Sequence, residues 1–404
     1  MIPVEAYQQS DPLVGAVLDG RYRVDTLIAT GGMSGVYRGL DLRLDRPVAL
    51  KVMDSRYAGD SQFLTRFQRE ARAVARLKNP GLVAVYDQGI DGQHPFLVME
   101  LIEGGTLREL LLERGPMPPH AAAAVLAPVL GGLAVAHREG LVHRDVKPEN
   151  VLISDDGEVK IADFGLVRAI AEAKITSTSV ILGTAAYLSP EQVSTGDASP
   201  GSDVYAVGVL TYELLTGDTP FKGDSSLAVA YQRMDHDVPP PSAAIGGVPT
   251  EFDELVMRAT ARHPGDRFAD ADEMAAELET IVDELGLPPF RVPAPRNSAL
   301  HQSAAVHHSR LNELAATGDT GRPAPPRRHT RELTRAPDDW RADEPDDEFH
   351  GVAHQFAGID MAEFYWARQR AKRALWFWVL AVLILTGGVA AAAWTLGSHL
   401  QELV

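Results

Sequence analysis

Residues 141–153 read LVHRDVKPENVLI, a stretch in which two apolar runs enclose His143, Arg144, Asp145, Lys147, Glu149 and Asn150. Charge alone would suit a solvated turn. The spacing asks for more: a carboxylate, an ammonium two residues on and an amide three residues beyond that. A carboxylate such as Asp145 can orient and deprotonate a hydroxyl nucleophile. Lys147 can neutralise charge on a phosphoryl group in flight, and Asn150 offers an amide oxygen to a magnesium ion. The rest of the chain decides between a solvated turn and a rigid loop that does chemistry.

Three further stretches supply complementary parts. KIADFGL, residues 160–166, sets Asp163 after an apolar strand and before Phe164 and Gly165, thirteen residues past Asn150. Asp163 is a hard oxygen ligand suited to a divalent ion held between protein and phosphates. IATGGMSGVY, residues 28–37, lies between two strand-like runs. There Gly31, Gly32 and Gly35 would let backbone amides approach phosphate oxygens without Cβ clashes. Glycines also occur in ordinary hairpins, so this stretch alone is a weak signal. VALK ends at Lys51 inside a hydrophobic strand. A lysine there either snorkels to the surface or meets an anion, for which Glu70 on the following helical stretch is the candidate.

The totals bound the possibilities. The chain has 404 residues, 45% of them hydrophobic, so a large core can form. A formal net charge of −17 argues against general nucleic-acid binding, which favours basic stripes. With no cysteine there are no disulfides, thiolate zinc sites or Cys nucleophiles, as suits a reducing interior. The start, MIPVEAYQQSDPL, lacks the basic and apolar runs of a signal peptide.

Residues 21–285 read as globular, after an N-terminal extension, residues 1–20. Strand-like runs at 21–29, 35–42, 47–54, 82–90 and 94–101 accompany a helical stretch at 61–77; helices dominate afterwards. This implies a small β lobe, residues 21–101, and a helical lobe, residues 102–285, with a cleft between them. Residues 286–373 hold nine of the 27 prolines and blocks of both charges, a composition that predicts a disordered linker. Residues 374–397 carry no charge. As a helix they would span roughly 36 Å, enough to cross a hydrocarbon core of about 30 Å. Trp376, Trp378 and Trp394 sit near its ends. Arg368, Arg370, Lys372 and Arg373 precede it, and no Lys or Arg follows. The bulk of the chain is thus expected in the cytoplasm, with a short tail, residues 398–404, outside.

In order and separation, the Gly-rich loop, VALK, Glu70, HRDVKPEN, DFG and GTAAYLSPE resemble the eukaryotic-like protein kinase family. With its membrane span the chain resembles bacterial transmembrane Ser/Thr kinases of the actinobacterial Pkn group. The resemblance implies an α+β bilobal protein-kinase fold and transfer of the ATP γ-phosphoryl group to Ser/Thr hydroxyls of proteins. Its implied cofactors are ATP with Mg²⁺ or Mn²⁺. By position it makes Asp145 the base, Lys147 the phosphoryl-contacting lysine, and Lys51 the α/β-phosphate contact paired with Glu70. Asn150 and Asp163 become metal ligands. The nucleotide pocket it implies takes in Ile28, Ala29, Gly31, Gly32, Gly35, Val36 and Ala49, with Met99 at its back and a hinge from Glu100 to Ile102. The Gly-rich match is imperfect, since Ala29 and Ser34 occupy glycine positions.

The same resemblance pairs Glu191 with Arg267, sets Asp203 beneath the catalytic loop, and stacks Val74, His143 and Phe164 into an apolar spine. Thr176 and Thr178 become candidate autophosphorylation sites whose phosphates would meet Arg144; Thr330 and Thr334 are weaker ones. Lys147 and Thr184 match the Ser/Thr rather than the tyrosine-specific pattern. Related kinases activate by dimerising, so a homodimer is implied too. A pseudokinase on the same fold is the alternative, although Lys51, Glu70, Asp145, Asn150 and Asp163 are all present. A small-molecule phosphotransferase is disfavoured by GTAAYLSPE and by the Glu191 and Arg267 pair.

Overall fold

The computed structural model describes residues 11–31, 34–164, 186–223, 225–305 and 307, and backbone pairing at 355–356 and 359–360. Met1–Pro241 and Val248–Arg322 belong to one compact unit. Thr176, Thr178, Thr184, Thr330, Thr334, most of the expected linker beyond residue 307 and the apolar span 374–397 lie outside the described residues. In a second unit, β10 (Gln355–Phe356) pairs antiparallel with β11 (Ile359–Asp360).

The expected small lobe is an antiparallel sheet with strand order β1-β2-β3-β4-β6-β5. Its members are β1 (Val17–Leu18), β2 (Tyr22–Thr30), β3 (Ser34–Asp41), β4 (Arg46–Met53), β5 (Val85–Asp91) and β6 (His94–Met99). Alternation drives its two-sided packing. Tyr22, Val24, Leu27, Val48, Leu50 and Val98 pack in one cluster, and Ala49, Met53, Leu97 and Met99 in another. Helix α1 (Ser61–Val74) lays Phe63, Phe67 and Ala71 into that second cluster. Its start is fixed by Asp60, whose carboxylate accepts from the backbone N–H of Gln62 and Phe63.

The predicted strand at 82–90 starts later, at Val85. After the Pro80–Gly81 turn, Leu82 forms a parallel bridge with Ile161, and the Val83 N–H donates to its carbonyl. Those two residues tie the lobes together instead of extending β5. Beyond Met99 the chain enters β7 (Gly104–Thr106), which joins β8 (Val151–Ser154) and β9 (Val159–Ile161) in a three-stranded sheet. The loop 141–150 precedes β8, and Asp163 follows β9 within two residues. The sheet therefore presents both chemical stretches on one side of the cleft.

The helical lobe contains α2 (Leu107–Arg114), α3 (Pro119–Arg138), α4 (Pro190–Ser194), α5 (Pro200–Thr216), α6 (Ser226–Asp235), α8 (Thr250–Ala259) and α9 (Ala271–Glu284); between α6 and α8 in the sequence, α7 (Pro241–Ala244) falls largely in the second unit. Among the described residues α3 is the one helix long and apolar enough to cross a membrane, yet most of it is buried, as the core of this lobe. α5 is buried from Gly201 to Thr216, which explains its apolar composition. Packing continues past residue 286, where the sequence reading begins a linker: Val292, Ser298, Leu300 and Ser303 are buried.

Candidate active site

The loop 143–150 is held from below. Asp203, near the start of α5, is 1% exposed. Its carboxylate accepts from the His143 N–H at 2.7 Å, the Arg144 N–H at 2.8 Å and His137 Nε2 at 2.9 Å. Two backbone donors on one buried carboxylate fix the loop's path, in which Arg144 adopts φ 71°. His143 has both ring nitrogens engaged: Nε2 lies 2.8 Å from the Ala162 carbonyl, and Nδ1 accepts from the Asp145 N–H at 3.2 Å. Its ring meets Phe164 edge-on at 4.4 Å. This is the packing role expected for His143, since neither nitrogen remains for a proton transfer. Val74 and Phe164 line one small apolar void with Met99.

Above this base stand the polar groups. Lys147 Nζ lies 2.9 and 2.7 Å from the two oxygens of Asp145. Asn150 Nδ2 donates to the Asp145 backbone carbonyl at 2.7 Å and to Asp145 Oδ2 at 3.0 Å. With its NH₂ so used, the Asn150 amide oxygen is the atom left to face a cation. Among the described residues no three acidic or His side chains gather as a metal cage. Mg²⁺ is commonly held by one or two protein groups plus phosphates and water. Asn150 and Asp163 are donors of that kind.

Lys51 does not reach the expected Glu70. Its Nζ lies 2.9 Å from Asp163 Oδ1. Burial acts to raise the Asp163 carboxyl, but Lys51, with smaller contributions from His143 and Lys147, holds it below the ordinary carboxylate range. The physical reason is reach: β4 and the segment after β9 bring Lys51 to Asp163, which sits at φ 67°. Glu70 instead lines a cavity of about 470 Å³ together with Arg66, Arg69, Val74, Arg144 and Phe164.

A second cavity, about 270 Å³, is lined by much of the expected nucleotide-binding set, Ile28, Ala29, Val36, Ala49, Met99, Glu100 and Ile102, together with Asn150 and Asp163. Gly31 and Gly35 stand in the β2–β3 hairpin that covers it, the Gly31 N–H donating to the Ser34 carbonyl at 2.8 Å. Gly32 lies outside the described residues. Sequence reasoning passed over Val83, Thr106, Glu149, Leu152 and Ala162 in this lining, and also Ala299 and Leu300 from far along the chain. Leu152 and Ala162 were legible in principle, flanking the two chemical stretches.

Two ion pairs brace the lobe. Arg267, whose side chain is fully buried, meets the Glu191 oxygens at 2.8 and 2.9 Å, as the sequence implies. Burial would raise Glu191, but Arg267 and Ser202 together push its carboxyl down to about 2. The other was not anticipated. Arg108 on α2 donates to Glu213 at 2.6 Å, to Tyr187 at 2.6 Å and to Glu149 at 2.8 Å, joining α5 to the catalytic loop.

Comparison with known proteins agrees with this geometry. The family model described as protein kinase domain matches residues 22–277. The serine/threonine-protein kinase PknL of Mycobacterium tuberculosis is 68% identical over 397 residues, covering 98% of each chain. PknB of the same organism is 44% identical over 278 residues, 67% of this chain and 44% of that protein. Among solved structures, the kinase domain of M. tuberculosis PknI matches with a TM-score of 0.53 at 28% identity, over 66% of this chain and 98% of that one. With the catalytic loop, the Asp163 segment and the Glu191–Arg267 pair in their family places, the chain belongs to the protein kinase family, as a serine/threonine-protein kinase.

Proposed function

We propose that this kinase is anchored in the cell membrane by residues 374–397, faces the cytoplasm, and transfers the ATP γ-phosphoryl group to Ser and Thr hydroxyls of proteins. The observation that carries the chemistry is the Asp145 carboxylate, clamped by Lys147 and Asn150 beside a cavity rimmed by Asp163. Asp145 orients the acceptor hydroxyl and takes its proton. Lys147, already beside that carboxylate, stabilises the charge developing on the phosphoryl oxygens. Lys51 contacts the α- and β-phosphates from β4. A bound divalent ion, Mg²⁺ or Mn²⁺, neutralises phosphate charge, and Asn150 and Asp163 are the residues to hold it. Ile28, Val36, Ala49 and Met99 enclose the base, and Glu100 to Ile102 offer backbone hydrogen-bond partners to its edge.

The reading includes activation-loop autophosphorylation at Thr176 and Thr178. What supports it is the cavity lined by Arg66, Arg69 and Arg144, whose three cations outnumber its two carboxylates, Glu70 and Glu139, and so favour a phosphate. Replacing both threonines by Ala should lower activity severalfold, and unchanged activity would remove this part. Anchoring is supported by the uncharged span and its basic flank. It requires that alkaline carbonate leave the protein in the membrane pellet. The transfer itself is tested with labelled ATP, myelin basic protein and divalent metal. Phosphoserine and phosphothreonine are expected on acid hydrolysis; no label, or label on tyrosine alone, would refute the reading.

A further inference from the structure

The protein kinase match ends at residue 277, but the ordered chain does not. After α9 it doubles back over the β7–β9 sheet and along α2, held at successive points. Arg291 Nε donates to the Asp156 carbonyl at 2.8 Å. The Arg296 N–H donates to Glu113 at 2.8 Å, and the Ala299 N–H to Glu109 Oε1 at 2.8 Å. Ser298 Oγ, fully buried, donates to the Gly104 carbonyl. His301 Nε2 lies 3.0 Å from Asp155. The approach is close enough that a Cβ on Gly105 would stand 2.4 Å from Pro295 and 2.6 Å from Ser298. This strap delivers Ala299 and Leu300 into the lining of the 270 Å³ cavity, with Leu300 only 7% exposed.

We propose that Leu300 is a nucleotide-contacting residue, the outer apolar wall of the base and ribose pocket, supplied from beyond the kinase domain proper. The cavity inside the strap still reaches Ala49 and Met99, so Leu300 bounds the space without filling it. Thr106, Glu109 and Glu149 make the neighbouring lining polar; Leu300 adds an apolar surface that would keep water off the ligand there. Backbone-anchored hydrogen bonds preorganise it, so little ordering cost falls on binding. The strap thereby sets how tightly ATP is held and how large a substituent its sugar can carry.

The inference rests on the nucleotide reading of this cavity, so the test separates the two. In the full-length chain, ATP KM, kcat and use of 2′/3′-O-anthraniloyl-ATP are measured for wild type, Leu300→Ser, Leu300→Met and His301→Ala, each with a nucleotide-free melting curve. Losing part of a buried leucine contact should raise the ATP KM of Leu300→Ser about three- to tenfold with kcat within about twofold. Discrimination against the sugar-substituted nucleotide should weaken, and Leu300→Met should restore wild-type values. If Leu300→Ser does not fold, His301→Ala, which loosens the strap at its exposed anchor, should raise KM in the same direction by less. An unchanged KM overturns the wall, and a lowered KM overturns it in favour of a plug that nucleotide must displace. Wild type that takes up no ATP would overturn the nucleotide reading and this inference together.

Discussion

Lys51 on β4 and Asp163 after β9 form a direct ion pair of 2.9 Å across the cleft, while Glu70 lines the cavity it shares with Arg66, Arg69 and Arg144. The lysine thus holds in place the carboxylate assigned to the metal. Lys51→Met removes that cation and the proposed phosphate contact at once. Phosphoryl transfer is expected to fall by at least about a hundredfold, the usual cost of deleting one preorganised charge-stabilising group. The melting temperature should fall as well, because Lys51 is largely buried and its loss strands the Asp163 carboxylate. Initial rates at saturating ATP, beside a melting curve, check both.

Asp203 secures the catalytic loop through two backbone N–H groups and His137. Asp203→Ala leaves those buried donors unsatisfied, which costs about 2–4 kcal/mol at typical penalties per group. The expected outcome is a matching loss in chemical denaturation together with a large fall in kcat. Full stability in this variant would mean that the loop finds its path without the carboxylate.

The Glu191–Arg267 pair gives a pH signature. The folded-state pKa of Glu191 is depressed to about 2, so its contribution to stability is present above the ordinary glutamate pKa and lost as pH falls from there toward 2. Acid melts of wild type should therefore lose stability over that window more steeply than Glu191→Gln. The variant should be less stable than wild type at neutral pH. Arg267→Met, which strands a carboxylate half inside the lobe, should cost about 3 kcal/mol or more.

Gly104 sits at φ 150°, and a Cβ there would lie 2.0 Å from the Ile153 carbonyl of the paired strand β8. Gly104→Ala must part β7 from β8 or bend both, at a cost of about 2 kcal/mol or more. Because the carbonyl of Gly104 itself accepts from Ser298 Oγ, moving β7 should also weaken nucleotide binding. Denaturation midpoints and an ATP titration measure the two effects.

Much of this was legible in order and spacing. The strands around IATGGMSGVY and VALK, the long helices and the Asp145–Lys147–Asn150 cluster stand where pattern and spacing place them, and the Asp203 anchor and the Glu191–Arg267 pair stand where the resemblance to protein kinases implies. What escaped were contacts that spacing does not encode. The choice of Lys51 between Glu70 and Asp163 depends on where α1 and the Asp163 segment settle against the sheet. Arg108 reaches Glu213 over 105 residues, with nothing in its own neighbourhood to announce it. The strap was hidden by composition. A proline-rich stretch cannot build its own core, but it can dock on one already formed through a few polar anchors and one leucine.

The central claim is that Asp145 takes the acceptor proton while other residues hold the nucleotide. Its most direct test pairs ATP affinity with single-turnover phosphoryl transfer to a protein acceptor in wild type and Asp145→Asn, magnesium present. Binding should persist within severalfold and transfer should collapse by a thousandfold or so, as for loss of a group acting in the transition state. Transfer by Asp145→Asn at the wild-type rate would contradict the account.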